Sequence, residues 1–177
     1  MYRIFLFGEI GSGKETVAKY LTIKYNFVSI FIDTPIREIA EKYLYFLKQD
    51  YRLYRIISKK LKEIHPEVWI FNLKKQIEEF LSTNFSQQGI VIPDVRHQSE
   101  YNWLKERGFK SVLIQTKEEI RIKRLLKRDG SIDSLIYQNI EDSINYEKVT
   151  PDYIIFNNRK VKDLYQEIDR MIREIKM

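Results

Sequence analysis

The strongest constraint on how this chain can fold lies at its N-terminal end. An apolar run, Tyr2-Arg3-Ile4-Phe5-Leu6-Phe7, opens directly onto Gly8-Glu9-Ile10-Gly11-Ser12-Gly13-Lys14-Glu15-Thr16. A buried strand that ends in spaced glycines and a lysine, with a helical pattern after it, is the context in which backbone wraps a polyphosphate. The glycines let N–H groups turn inward, and the following helix offers the same anion its positive end. Lys14 would reach the β- and γ-phosphates as a point charge. Glu15 stands where many such loops carry the Ser or Thr that ligates magnesium, and Thr16 comes one position later. A metal would then be held mainly by water and other carboxylates. The alternative is a glycine-rich turn that binds nothing.

The remaining pattern alternates strand with helix. Apolar runs at about 28–32, 90–93, 111–115 and 153–157 join 2–7 as strands, and their lack of polar alternation predicts a parallel sheet covered on both faces. Between them, Val17, Leu21 and Tyr25 share one helical face, and Ile70, Leu73, Ile77 and Leu81 another, behind Pro66. Leu104 precedes Gly108, a helix stop; Ile120, Leu125 and Leu126 line the next helix, and Leu164, Ile168, Met171, Ile172 and Ile175 the last. The expectation is one α/β domain over 1–177, a three-layer α/β/α sandwich with a five-stranded parallel sheet. The stretch 35–83 holds no strand and reads as a helical insertion packed over one edge.

Composition narrows the classes. With 44% hydrophobic residues, 6 Gly and 4 Pro in 177 residues, disorder and collagen-like repeats are excluded. The lack of Cys removes disulfide frameworks, thiolate metal sites and cysteine nucleophiles. The first apolar run is too short for a leader or a membrane span, so a cytoplasmic protein with no membrane partner is expected. The net charge of +6 points to an anionic partner without naming it.

Two further clusters sit at strand ends. Ile90-Val91-Ile92-Pro93-Asp94-Val95-Arg96 puts an acid at the ligand edge of a parallel sheet, where it can orient waters around magnesium, and a forked guanidinium that can grip phosphate. A plain Asp-Arg surface turn is the other reading. Asp33-Thr34-Pro35-Ile36-Arg37 repeats the acid-and-base arrangement after the second strand: the carboxylate can position an acceptor or take its proton, and Arg37 can bind phosphate. Helix capping by Asp33 or Thr34 explains the same residues equally well.

The charge is concentrated. Residues 42, 48, 52, 55, 59, 60 and 62 are basic and Asp50 is the one acid among them, so this segment carries the whole +6. Arg52 and Arg55, three apart, share a helix face that can turn toward an acceptor, whereas the lysines at 59, 60 and 62 read as solvated. Arg121, Arg124 and Arg128 form a second stripe, leading to Asp129-Gly130, which can close over a transferring phosphoryl group or simply face solvent. His65 and His97 are lone imidazoles with no ligand cluster around them, and Trp69 and Trp103 read as core aromatics.

Gly11-Ser12-Gly13-Lys14-Glu15-Thr16-Val17-Ala18, Val91-Ile92-Pro93-Asp94-Val95-Arg96-His97 with Glu100, Leu104 and Gly108, the Pro66 to Trp69 helix start, and Asp152 to Asn158 together resemble the deoxynucleoside monophosphate kinase family. Dephosphocoenzyme A kinases and phosphomevalonate kinases share parts of the layout. The resemblance implies a P-loop NTPase fold and ATP-dependent transfer to a (deoxy)nucleoside monophosphate, with ATP and Mg2+ as cofactors. It implies that Gly8, Gly11, Ser12, Gly13, Lys14, Glu15 and Thr16 bind the donor, with Asn157 at the adenine. It gives Arg96 the acceptor monophosphate, Asp94 and Thr16 the metal, and Glu100 the orientation of Arg96. It implies acceptor roles for Asp33 and Arg37, a monophosphate-binding flap in the stretch that carries Arg52 and Arg55 without assigning either a contact, and roles for Arg124 and Arg128 at the transferring group from a lid at about 117–147. Two departures stand out: Glu15 replaces the family's usual Asp, and Asn158-Arg159 stand where a Gly usually follows the Asn. A homodimer is compatible with the sequence, which leaves the oligomeric state open. Alternatives are a kinase for another phosphorylated metabolite, such as dephosphocoenzyme A, and a nucleotide-switched nucleic-acid-binding module. The second is disfavoured because no nucleic-acid recognition signature or basic tail is present.

Overall fold

A computed structural model of the protein describes residues 1–47, 51–83, 86–129, 144–146 and 148–175. The chain divides into two compact units, Met1–Ser29 with Gln87–Met177, and Ile30–Ser86.

The first unit holds the sheet. Strands β1 (Tyr2–Phe7), β2 (Phe27–Ser29), β3 (Gly89–Ile92), β4 (Lys110–Gln115) and β5 (Tyr153–Phe156) lie in the order β2-β3-β1-β4-β5, every neighbouring pair parallel. β1 is central, which is why Ile4 to Phe7 form an unbroken buried run. On one face Ile4, Leu6, Val91, Val112, Ile114 and Ile155 pack with Val17, Ala18 and Leu21 of helix α1 (Lys14–Tyr25) and with Leu164, Ile168, Met171 and Ile172 of α7 (Val161–Ile175). On the other, Phe5 and Phe7 meet Tyr101 of α5 (Gln98–Glu106) edge-on at 5.1 and 5.3 Å. The chain reaches β3 and β4 on opposite sides of β1, so the loop after β1 sits where the strand order reverses, the place at which open parallel sheets bind ligands.

The outer strands are secured by polar groups. Asp152 accepts from the Ser111 N–H and hydroxyl, both at 2.7 Å, and from Lys105 at 2.6 Å, fastening β5 to β4 and α5. Asp169 of α7 accepts from Tyr20, Lys24 and Tyr25 of α1.

The second unit lies between β2 and β3 in sequence and is helical: α2 (Thr34–Tyr43), α3 (Tyr51–Ile64) and α4 (Val68–Ser82), with α2 packed on α3. Helix α6 (Glu118–Asp129) belongs to the first unit. Seven helices and five strands are thus present among the described residues, and no helix among them is long and apolar enough to cross a membrane.

Sequence periodicity placed the elements well and some boundaries less so. The second strand is shorter than 28–32, because β2 is an edge strand paired with β3 only at Phe27, Val28 and Ser29. Leu81 is not on the buried face of α4. Trp69 joins Ile70, Leu73 and Ile77 there, which shifts the stripe so that Phe80 is buried and Leu81 exposed. Leu126 is likewise exposed, while Leu125 is buried. Gly108 ends the turn after α5 as expected, with φ of 75° and its N–H donating to the Lys105 carbonyl.

Candidate active site

The loop between β1 and α1 is held by its carbonyls. Lys14 donates through Nζ to the Gly8 and Glu9 carbonyls at 2.6 and 3.0 Å. The Ile10 carbonyl accepts from Arg121 Nη1 at 3.2 Å, and the Gly11 carbonyl from Arg124 Nη1 at 3.4 Å. That of Ser12 accepts from the Asn157 amide at 2.8 Å, the Thr116 hydroxyl at 3.0 Å and Arg124 Nη1 at 3.4 Å. The Gly13 carbonyl starts helix α1 by accepting from the Val17 N–H. Every carbonyl from Gly8 to Gly13 is therefore bound. In a trans peptide the C=O and the next N–H point opposite ways, so carbonyls tied to the protein leave amides facing outward. The Ser12 N–H turns back, to the Glu9 carbonyl. Gly8 cannot be replaced without strain: at φ 138° a Cβ would lie 2.4 Å from the Ile114 carbonyl oxygen of β4.

Electrostatics converge on Lys14. Burial of its ammonium, then the charge of Arg96, draws its pKa from 10.5 down to about 8, against the opposing pull of Asp94 and Glu15. Asp94, at the end of β3, is itself only 9% exposed. Lys14, Asp94 and Arg96 thus share one electrostatic neighbourhood. The buried Glu100 carboxylate accepts from the backbone N–H groups of Arg96 and His97, both at 3.0 Å, and so fixes the turn that carries the exposed Arg96. The Arg96 carbonyl accepts from the Ile144 N–H.

A family model described as an AAA domain matches residues 4–145, four-fifths of the chain. The chain belongs to this AAA domain family. Comparison with curated proteins gives no significant sequence match. Solved structures of similar fold include TT1252 from Thermus thermophilus, at 21% identity over 98% of each chain with a TM-score of 0.64. A dephospho-CoA kinase from Campylobacter jejuni gives 21% identity, 97% of this chain and 96% of the other, and a TM-score of 0.58. A gluconokinase from Sinorhizobium meliloti 1021 gives 17%, 99% and 95%, and 0.59. The five-stranded parallel sheet with its helices is the α/β fold of the P-loop kinases.

A cleft of about 210 Å³ opens beside the loop, lined by Gly13, Thr16, Arg124, Asn157, Arg159, Val161 and Leu164. Thr16 and Asn157 meet there, brought together by α1 and the β5–α7 turn. The Asn157 side chain is engaged on both ends, its amide on Ser12 and its oxygen on Arg124 Nη2 at 3.3 Å. Glu15 is exposed in the first turn of α1, and the Ser12 side chain is fully buried.

The arginine stripe of α6 is graded: Arg121 is 5% exposed, Arg124 half-buried and Arg128 exposed. The span 130–143 and residue 147 of the expected lid lie outside the described residues, as do Lys48 and Asp50 of the basic segment.

Asp33, Arg37, Arg52 and Arg55 belong to the second unit. Asp33 occupies the N-cap position of α2, with Pro35 in the first turn, yet its side chain makes no capping bond. It binds the guanidinium of Arg37 instead, at 3.1 and 3.3 Å, and that guanidinium lies over the Tyr54 ring. Arg52 is exposed and Arg55 half-buried on α3, with Leu53 and Ile57 on its buried side. Trp69 is buried, while Trp103 is half-buried beneath Arg107, whose guanidinium is 3.9 Å from the ring centre. Sequence reasoning missed Thr116 and Tyr54. The position of Thr116 just past a strand end was a usable signal; Tyr54 offered none.

Proposed function

We propose that this protein transfers the γ-phosphoryl group of ATP to a nucleoside or deoxynucleoside monophosphate, giving the diphosphate. The carrying observation is the phosphate loop, whose carbonyls are all bound by the protein and whose lysine is held desolvated at its head. Likeness to a dephospho-CoA kinase and a gluconokinase supports phosphoryl transfer on this fold.

ATP lies with its polyphosphate in the loop of Gly8, Gly11, Ser12, Gly13, Lys14, Glu15 and Thr16 and its base in the cleft between Arg124 and Asn157. Arg96 aligns the acceptor phosphate, with Arg37 held by Asp33, and Arg52 and Arg55 supplying further positive charge from the helical insertion. An acceptor phosphate oxygen attacks the γ-phosphorus in line, the bond to the bridging oxygen breaks and ADP leaves. Positioning and charge stabilisation by Lys14, Arg124 and Arg128 carry the step without a covalent enzyme intermediate.

The residues present fit a magnesium ion. Among the described residues no group of three or more His, Asp or Glu could cage a metal. Magnesium characteristically takes one or two carboxylates and completes its shell with phosphate and water; buried Asp94, in the same electrostatic neighbourhood as Lys14, would supply the carboxylate, and the Thr16 hydroxyl would add an oxygen. When bound, it neutralises phosphate charge.

The test is a coupled assay with ATP and Mg2+ against a panel of nucleoside and deoxynucleoside monophosphates, dephosphocoenzyme A and gluconate. We expect kcat/KM for one nucleotide at least 100-fold above either metabolite. Preference for dephosphocoenzyme A overturns the acceptor assignment. Salt-sensitive nucleic-acid binding without turnover overturns the whole reading.

A further inference from the structure

The stripe on α6 contains an arginine whose position does not suit direct contact with a transferring phosphate. Arg121 is 5% exposed, and its two terminal nitrogens are both engaged within the phosphate loop: Nη2 pairs with the Glu9 carboxylate and Nη1 donates to the Ile10 carbonyl at 3.2 Å. We propose that Arg121 and Glu9 form a positioning pair that presets the leading half of the phosphate loop for the donor nucleotide. This inference rests on the reading of the loop as an ATP site.

The two halves of the loop are secured differently. The trailing half, Gly11 to Gly13, has helix α1 and donors from three places: Thr116 after β4, Arg124 on α6 and Asn157 after β5. The leading half, Gly8 to Ile10, has Lys14 and Arg121, besides the turn bond from Ser12 to Glu9. Lys14 has three protons, two already on loop carbonyls, and must share them with the incoming phosphate. Arg121 has no such second duty. Its flat fork spans a side chain and a carbonyl at once, which a lysine head cannot reproduce with the same rigidity.

Glu9 explains how so buried a guanidinium is tolerated. A buried cation needs a partner, and the glutamate supplies it from within the loop being braced. Tyr146, itself 44% exposed, stacks its ring on Phe7 at 6.0 Å, and partial desolvation with the nearby Glu9 charge raises its phenol to about 12, which places it beside the pair. Arg121 also contributes to lowering the Lys14 pKa, an influence a distant structural arginine would lack.

The experiment measures binding of a non-hydrolysable ATP analogue by calorimetry to the full chain, its Glu9→Gln, Arg121→Met and Arg121→Lys variants, and the double variant. We expect Kd to rise about tenfold in Arg121→Met and several-fold in Glu9→Gln, in line with loss of a charge-assisted contact. Arg121→Lys should recover only part of that loss. The double variant should lose no more than Arg121→Met alone, because the two act as one unit. In turnover, KM for ATP should rise with KM for the acceptor unchanged. Arg121→Met risks unfolding; Glu9→Gln, at a half-exposed position and keeping an amide oxygen that can still accept from Arg121, is the milder variant, and thermal unfolding of each is followed alongside binding. Wild-type affinity in Glu9→Gln and Arg121→Lys together overturns the pairing. A parallel loss of thermal stability and of both KM values would instead make Arg121 merely structural, and also overturns it. Failure of the wild-type chain to bind the analogue at all would fall on the ATP reading instead.

Discussion

Arginines on α6 and on α3 do opposite things with the same side chain. On α6, Arg121 and Arg124 turn inward and donate to backbone carbonyls of the phosphate loop. On α3, Arg52 is exposed and Arg55 half-buried, on a helix that also carries Lys59, Lys60 and Lys62. Shaping a loop requires fixed geometry, which burial and two-point contact provide. Drawing in an anion from solvent requires a field that reaches outward, which exposed cations provide. On the proposed reading, the net charge of the α3 segment draws the anion in, whereas the precision of the site comes from arginines that add little to the outward field.

The largest break in this comparison should come from Lys14→Ala. We expect kcat/KM to fall by about 10³-fold, roughly 4 kcal/mol of transition-state stabilisation. The midpoint of thermal unfolding should hold or rise, since a lysine drawn down to about 8 by burial does not favour the folded state when charged. Loss of activity together with early melting would place Lys14 in the fold rather than in the chemistry.

Next in size is Gly8→Ala. Its Cβ would meet the Ile114 carbonyl at 2.4 Å, in the centre of the sheet, at a φ that L residues rarely adopt. We expect a loss of about 3 kcal/mol in urea unfolding. Gly108→Ala serves as the control: it also has positive φ, but nothing stands within 4 Å of the added carbon, so only the conformational penalty of about 1 kcal/mol applies. Equal losses at both sites would remove the close approach of β4 as the reason for Gly8.

The Lys14 proton gives a pH prediction of intermediate size. In the empty loop the lysine is charged below about pH 8 and largely neutral a unit above it. Bound phosphates restore its charge, so binding takes up a proton in that range. Kd for ATP should be flat from pH 7 to 8 and then weaken by up to about tenfold per pH unit. Lys14→Met should abolish the slope, and titration at pH 7, 8 and 9 checks it. A flat profile in the wild-type chain would mean that the ammonium keeps its proton without nucleotide.

Much of the fold was legible because a parallel sheet buries its strands on both faces. The apolar runs at 2–7, 90–93, 111–115 and 153–157 each met a strand within a residue or so. β2 was read too long because Ile30 and Ile32 stay buried after its pairing ends, and hydrophobicity reports burial, not hydrogen bonding. At the site, the glycines and Lys14 were visible since their chemistry dictates their spacing. The stripe Arg121, Arg124 and Arg128 was visible as a period but not as a gradient of burial, which depends on how α6 lies against the loop. The same limit applies to Asp33, where cap and acid look identical until Arg37 is seen to take the carboxylate.

The smallest effects separate the cations of α3 from one another. Arg55 is half-buried on the face that also carries Arg52, whereas Lys60 is exposed and pairs with Glu63 at 2.8 Å on the same helix. An exposed pair three residues apart is screened and loses side-chain freedom, so its removal is nearly neutral. We expect Arg55→Ala to raise KM for the acceptor roughly tenfold while KM for ATP is unchanged, the size of one charge-assisted phosphate contact. Lys60→Ala should change both by less than about twofold, and raising the salt from 50 to 300 mM should erase that remainder while leaving most of the Arg55 effect. If the two substitutions instead have equal effects that vanish together with salt, α3 attracts the acceptor only through its summed field and makes no specific contact with it.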